Sequence, residues 1–309
     1  MTVDVIIPTY HPDERLSRIV SDLARQSTPP SHIILINSED DRGNSLLPPD
    51  ILTHELVRVI NIKKDEFDHG GTRNAAATGS EADFLLFMTQ DAVPYDDDLI
   101  SNMLKAFEDT GVAAVYARQL PDDDASPIER FSRSFNYPEG SCVKSKDDKT
   151  RLGIKTYFCS NACAMYQGDV FRKLGMFPVN MIFNEDMVFA HTLIENGYRI
   201  AYCAKAKVYH SHNYTNMQQF HRNFDLAVSQ AMHPEVFESV SSESEGAVYV
   251  KKAFSYFLKE KKPWYFIPFG VQSVYRLAGY KLGKKYATLP KKLVRRFTAS
   301  PGFFDRQER

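Results

Sequence analysis

The sequence predicts an α/β protein: a mostly parallel sheet with helices on both faces, followed by a helical, basic C-terminal segment. Three observations predict it. Apolar runs of strand length alternate with helical patterns over about the first 115 residues, the pattern of strands covered on both faces. A formal net charge of −1 over 309 residues conceals −13 over residues 1–250 and +12 over residues 251–309, so an acidic part is followed by a basic one. Hydrophobic residues at 43% and charged residues at 25% are a globular composition.

Taken in order, Asp4–Pro8 (DVIIP) and Ile33–Ile36 (IILI) read as short buried strands. Pro12, Asp13 and Glu14 open a helix between them, with Leu16, Ile19, Val20 and Leu23 at helical spacing. Val57–Ile62 and Phe84–Met88 are further strands, with helices at Gly71–Gly79 and Asp97–Thr110 around the second. Charge-dense stretches at Asp122–Asp124 and Lys144–Arg151 read as loops flanking a helix near Pro127–Phe135. A short strand then reaches Tyr166, a helix follows near Gly168–Leu174, and Asn184–Asn196 reads as an Asn-capped helix stopped by Gly197. From Thr215 to about Lys285 the pattern is helical.

The length suits about two domains. The expected division is 1–214, itself split into 1–118 and 119–214, and 215–309. The first residues, MTVDVIIPTY, lack the charged and long apolar regions of a secretion signal. The uncharged run Pro263–Tyr275 has thirteen residues and two prolines, and no uncharged run exceeds fourteen, short of the ~20 that cross a bilayer. Cys142, Cys159, Cys163 and Cys203 form no CxxC pair, which favours free thiols in a reducing compartment.

In an open α/β sheet, ligands gather beyond the carboxyl ends of the strands. Four polar clusters fall there: Pro8-Thr9-Tyr10, Asn37-Ser38-Glu39-Asp40, Gly70-Gly71-Thr72-Arg73-Asn74 and Thr89-Gln90-Asp91-Ala92. The third opens a helix with glycines, where backbone N–H groups meet a phosphate.

These clusters carry a resemblance. DVIIPTYHPDERLSRIVSDLARQS with IILINSED, FDHGGTRNAAA, LLFMTQDAVP and GMFPVNMIFNEDMVFAHTLIENGYRIAY, in that order over residues 3–212, resemble the blocks of a family 2 glycosyltransferase of the GT-A fold. GGTRN, TQDA and VYHSHNYT resemble its bacterial rhamnosyltransferase branch. The resemblance implies an inverting transfer of L-rhamnose from dTDP-β-L-rhamnose to a lipid-linked saccharide in cell-surface polysaccharide synthesis. A UDP-hexose donor, or a catalytically degenerate sugar-nucleotide-binding scaffold, stays open.

The family's DxD is half present: Thr89-Gln90-Asp91 keeps only the second acid. The resemblance implies that Asp91 binds Mg²⁺ or Mn²⁺ bridging the donor diphosphate; the alternative is a helix cap after Pro94. His210 and His212, at i and i+2 after a strand at Lys207–Tyr209, share a face. Either is a metal ligand or a structural residue. Asp186 matches the family's base, with Glu185 the runner-up or an acceptor contact. Pro8, Thr9, Tyr10, Asn37, Glu39, Asp40 and Gln90 would frame the nucleotide. Arg73 would face a phosphate, with Asn74 supporting its loop, unless Arg73 is simply solvated. Asn161 belongs with the acceptor side. Gln219 and Arg222, on one helix face, half resemble the QxxRW signature of processive synthases, with Asn223 in place of Trp, and would contact the acceptor.

Lys261 and Lys262 precede Trp264, Tyr265, Phe266 and Phe269, and a second basic cluster follows at Lys281–Lys285. Aromatics between cations suit an anionic membrane surface, here the cytoplasmic leaflet; the same residues would serve a homodimer through C-terminal helices. Nucleic acid is not expected, because no RNA-binding signature accompanies the basic cluster.

Overall fold

A computed structural model describes residues 1–39, 47–238 and 243–307, in two compact units. The first comprises Met1–Leu120, Tyr137–Val179 and Glu185–His210; the second comprises Pro121–Asn136, Asn180–Asn184 and Ser211–Arg309.

Among the described residues the first unit is built on a nine-stranded sheet: β1 (Val3–Thr9), β2 (His32–Ser38), β3 (Val57–Ile62), β4 (Phe84–Met88), β5 (Val93–Pro94), β6 (Val112–Leu120), β7 (Cys142–Lys144), β8 (Cys163–Gln167) and β9 (Arg199–Tyr209). Their order is β3-β2-β1-β4-β8-β6-β9-β5, with β7 also on β9. The first four strands in that order run parallel. β8 joins antiparallel to β4 and β6, and β6 is again parallel to β9. Of these, β1, β2 and β4 read as largely apolar runs because both faces are covered, whereas the edge strand β3 is mostly not buried. On one face Val5, Ile7, Leu86 and Met88 pack with Leu16, Ile19, Leu99 and Met103, which belong to the helices Arg15–Ala24 and Leu99–Lys105. On the other, Phe87 meets Tyr166, Phe171 and Phe177, and Phe171 meets Phe189 of the helix Glu185–Glu195. The buried polar residue of β1, Asp4, is satisfied by Ser80 Oγ at 2.6 Å and His32 Nδ1 at 3.1 Å.

Three details differ from the sequence reading. The first helix starts at Arg15; Asp13 stays outside and accepts the Arg15 N–H at 3.0 Å. Asn184 sits at φ +63°, the left-handed region that asparagine tolerates, rather than the extended backbone of an ordinary N-cap. And β6, buried along most of its length, is a strand the periodicity did not announce.

In the second unit the helix Asn216–Met232, capped by Thr215 and Gln218 reciprocally, packs on the helix Phe266–Gly283. A Cβ on Gly279 would lie 2.2 Å from the Phe220 carbonyl oxygen, so only glycine allows this approach. Phe131 of the helix Pro127–Asn136 packs with Ala253, Phe257 and Phe269. Phe224, Val228, Val294 and Phe303 form a second cluster. Trp264, Ile267, Val271, Val274 and Leu277 remain 65, 77, 43, 65 and 53% exposed, an apolar stripe with lysines at both ends. No helix among the described residues is long and apolar enough to cross a membrane.

Candidate active site

The strand ends bring the sequence-predicted donor residues into one row. Register aligns Thr9 with Asn37 and Asn37 with Asn61. Thr9 Oγ1 donates to Asn37 Oδ1 at 3.3 Å, and Asn37 Nδ2 to Asn61 Oδ1 at 3.0 Å. The Gln90 amide clamps the neighbouring ends of β1 and β4: it accepts the Tyr10 N–H at 2.8 Å and donates to the Tyr10 carbonyl at 3.0 Å. The Tyr10 ring is exposed, and Lys64 Nζ lies 5.4 Å from its centroid. Pro8 lies within β1. Glu39 continues β2, its N–H donating to the Ile62 carbonyl. Asp40 lies outside the described residues.

Asp91 precedes β5 and His210 follows β9. Because Val93 pairs with Tyr209 in an antiparallel register, the two flanking residues meet, His210 Nε2 lying 3.5 Å from Asp91 Oδ1. Gln119 at the end of β6 orients the ring. Its Nε2 donates to Ser160 Oγ at 3.0 Å, so its Oε1 accepts from His210 Nδ1 at 2.8 Å. Nδ1 is thereby occupied by Gln119, and Nε2 is the ring nitrogen turned toward the Asp91 carboxylate. Two acceptors converging in this way suit a divalent cation with N and O ligands. His212, in the second unit, donates its N–H to Glu129 at 3.3 Å and stacks on Tyr214 at 4.8 Å between centroids. Thr89, where the first acid of a DxD would stand, has a buried hydroxyl without a hydrogen-bond partner among the described residues.

The second constellation is the Glu185-Asp186 pair at the start of its helix. Asn161 orients both. Its N–H donates to Asp186 Oδ2 at 3.1 Å and its Nδ2 to Glu185 Oε1 at 3.2 Å, while its Oδ1 accepts from Tyr166 Oη at 2.9 Å. Glu185 Oε1 also lies 3.2 Å from Arg73 Nη1. Arg73 is thus buried in an ion pair, its Nη1 donating to the His69 carbonyl at 2.7 Å. Asn74 exchanges two hydrogen bonds with the Phe177 backbone. Gly70 makes that packing possible, since a Cβ there would lie 1.9 Å from the Pro178 carbonyl oxygen.

The two acids titrate apart. Burial pushes the Glu185 carboxyl up, but the charges of Arg73 and His69 and the Asn161 hydrogen bond outweigh it and hold it below its ordinary value. Burial, and then the Glu185 charge, push Asp186 up to about 7. One carboxylate is a fixed anion and the other is poised to exchange a proton near neutrality, the arrangement that acid–base chemistry uses.

Residues 4–175 match the family model described as glycosyl transferase family 2. The chain belongs to that family. It is 38% identical over 308 residues to the O-antigen chain rhamnosyltransferase RfbN of Salmonella typhimurium, covering 99% of this chain and 96% of that protein. It is 39% identical over 307 residues to the O-antigen chain rhamnosyltransferase WbaN of Salmonella anatum, covering 97% and 95%. Two solved structures share the fold. One is a Pyrobaculum calidifontis mannosyltransferase in complex with GDP-Man and Mn²⁺ (TM-score 0.61, 13% identity, 91% of this chain and 86% of that one). The other is S. aureus TarS 1-349 in complex with UDP-GlcNAc (TM-score 0.54, 13% identity, 93% and 92%). The protein is therefore a glycosyltransferase with a GT-A fold.

Gln219 and Arg222 lie on the helix Asn216–Met232. Arg222 is exposed and stacks its guanidinium over Phe183 and Tyr214 at 4.9 and 5.3 Å; Gln219 accepts from Asn223 Nδ2. Sequence reasoning did not single out Gln119, Ser160, Asn61 or Tyr166. Only the apolar run Val112–Ala117 pointed toward Gln119.

Proposed function

We propose that the protein is an inverting rhamnosyltransferase that moves L-rhamnose from dTDP-β-L-rhamnose to a hydroxyl of a lipid-linked saccharide in bacterial cell-surface polysaccharide synthesis. One observation carries the chemistry: in a chain of this family, Asp186 is held by Asn161 beside a fixed anion and titrates at about 7. The choice of rhamnose rests on the near full-length similarity to two O-antigen chain rhamnosyltransferases.

The Asp186 carboxylate accepts the proton of the acceptor hydroxyl. The hydroxyl oxygen bonds to the anomeric carbon from the face opposite the diphosphate, and the bond from that carbon to the diphosphate oxygen breaks. The electron pair leaves with dTDP, and the β-linked donor becomes an α-linked product. Glu185, kept ionised by Arg73, maintains the basicity of Asp186, and Asn161 aims it. Arg73 is in this reading a positioning residue. Thr9, Asn37 and Glu39 hold the nucleoside with the Tyr10 ring, and the Gln90 clamp fixes that ring's backbone. Asp91 and His210 would hold Mg²⁺ or Mn²⁺. When bound, the cation offsets the charge that develops on the leaving diphosphate. Asn161 serves the acceptor through the two acids that it orients, and Gln219 and Arg222 are acceptor contacts in this reading. The apolar stripe and its lysines rest on the anionic cytoplasmic leaflet, at about 1 kcal/mol per basic residue near the surface.

The test is thermal stabilisation of the protein by dTDP-rhamnose, UDP-glucose, UDP-galactose and GDP-mannose, each with and without Mn²⁺. A donor at about 100 times its Kd adds about 2.7 kcal/mol, a rise of several degrees. A Mn²⁺-dependent rise with dTDP-rhamnose alone is expected. A rise with another donor overturns the choice of sugar, and none with any overturns it in favour of an untested donor or a degenerate scaffold.

A further inference from the structure

We propose that the second unit carries a site for an amphiphile: a polar, aromatic pocket for a saccharide, continued by an apolar groove for the chain attached to it. The inference deepens the acceptor side of the function proposed above and rests on it.

The pocket, about 340 Å³, is lined by Glu129, Tyr214, Gln219, Tyr249, Gln272 and Arg276, among others. Its polar groups are held in place. Glu129 is buried and accepts from Arg133 Nε at 2.6 Å. Arg276 lies 5.1 Å from the Tyr249 ring centroid, and its Nη1 donates to Tyr249 Oη at 3.3 Å. A pyranose has apolar faces and a rim of hydroxyls. It matches tyrosine rings surrounded by a carboxylate, two amides and a guanidinium.

The groove, about 460 Å³, is lined by Met217, Phe220, Val274, Ala278 and Phe297, with Arg296 beside them. Both cavities are built on the same two helices. Gln219 of the pocket and Phe220 of the groove are consecutive, and Val271 of the pocket precedes Val274 of the groove by three residues, about 4.5 Å along a helix axis. Val271 and Val274 are both exposed and lie on neighbouring turns of one helix, an apolar pair with one member in each cavity. A free oligosaccharide would leave the groove unused, and a phospholipid would leave the tyrosine pocket unused. A saccharide joined through a diphosphate to a hydrocarbon chain uses both, with Arg276 and Arg296 supplying positive charge for the diphosphate.

The experiment is calorimetric titration of the full chain with short-alkyl diphosphate esters of glucose, galactose and mannose, with the corresponding sugar 1-phosphates, and with the alkyl diphosphate alone. Saturable binding of at least one ester is expected. Gln272→Trp, which fills the pocket, should weaken both ester and sugar phosphate by about tenfold or more, a loss of about 1.4 kcal/mol. Val274→Asp, at a position 65% exposed and so safe for folding, should weaken the ester while sugar phosphate binding stays as in the wild type. A retained temperature rise with dTDP-rhamnose and Mn²⁺ shows that each variant is folded. The site is overturned if no ester binds, if both variants bind the ester as the wild type does, or if the alkyl diphosphate alone binds equally well. Ester binding without transfer from dTDP-rhamnose would instead overturn the donor reading and leave this site standing.

Discussion

Replacing Asp186 with asparagine removes the proposed base while keeping its size. Asp186 titrates at about 7, so about a tenth of it is ionised at pH 6 and about nine tenths at pH 8. If the ionised form is the base, wild-type kcat/KM at saturating Mn²⁺ rises about tenfold between those values and levels off above. Asp186→Asn should lose the limb and, with it, about 10²–10⁴ of the rate. The donor-induced rise in Tm should survive, because the substitution touches neither Asp91 nor His210. Glu185→Gln takes away the neighbouring negative charge that raises Asp186, so the limb moves to lower pH. Stability gives a second readout. The folded-state value lies above the ordinary 3.8, so the folded protein binds the proton more tightly than the unfolded chain does. Wild-type stability therefore falls as pH rises from about 4 through 7, relative to the asparagine variant. The assay is radiolabelled sugar transfer across pH 5.5–8.5, paired with melting curves. A flat wild-type profile, or full transfer by Asp186→Asn, refutes the assignment. Loss in Glu185→Gln with transfer kept in Asp186→Asn would move the base to Glu185.

Chelation with EDTA should abolish the donor-induced Tm rise and restored Mn²⁺ should return it; Gln119→Leu, which frees the His210 ring, should raise the Mn²⁺ needed for half-maximal activity by about 10–100-fold. Gly70→Ala drives a methyl into the Pro178 carbonyl and should cost about 1–3 kcal/mol, seen as a melting transition lower by several degrees. Trp264 is the one tryptophan in the chain and is 65% exposed, so vesicles containing phosphatidylserine should shift its emission to the blue, and about 0.5 M salt should reverse the shift; neutral vesicles should not act. A blue shift without lipid that grows with protein concentration would instead point to a second copy of the chain on this stripe.

What the sequence makes legible depends on where the information lies. β1, β2 and β4 can be read because burial on both faces writes each as a largely apolar run, and the edge strand β3 because Val57, Val59, Ile60 and Ile62 keep it β-branched although it is mostly not buried. The chain VAAVYARQL of β6 opens with a run, VAAVYA, half of it alanine, and ends with Arg118 and Gln119, so its apolar signal is weaker than that of the other buried strands. The same contrast holds in the site. Asp91, Asp186 and His210 stand out because motifs collect the residues that touch ligands. Those that orient them do not stand out, because orientation comes from pairing between distant strands. Asn61 joins Thr9 and Asn37 only through the register of three strands. Gln119 reaches His210 only because β6 ends beside β9. Arg73 shows the cost of reading a cation locally. Beside two glycines at a helix start it suggests a phosphate ligand, yet its guanidinium is 3.2 Å from Glu185, 112 positions further along the chain. That ion pair separates the two acids, since the same positive charge that fixes Glu185 as an anion leaves Asp186 to bear the repulsion. Its effect on the chemistry is therefore exerted through a neighbour, which no local pattern of residue types records.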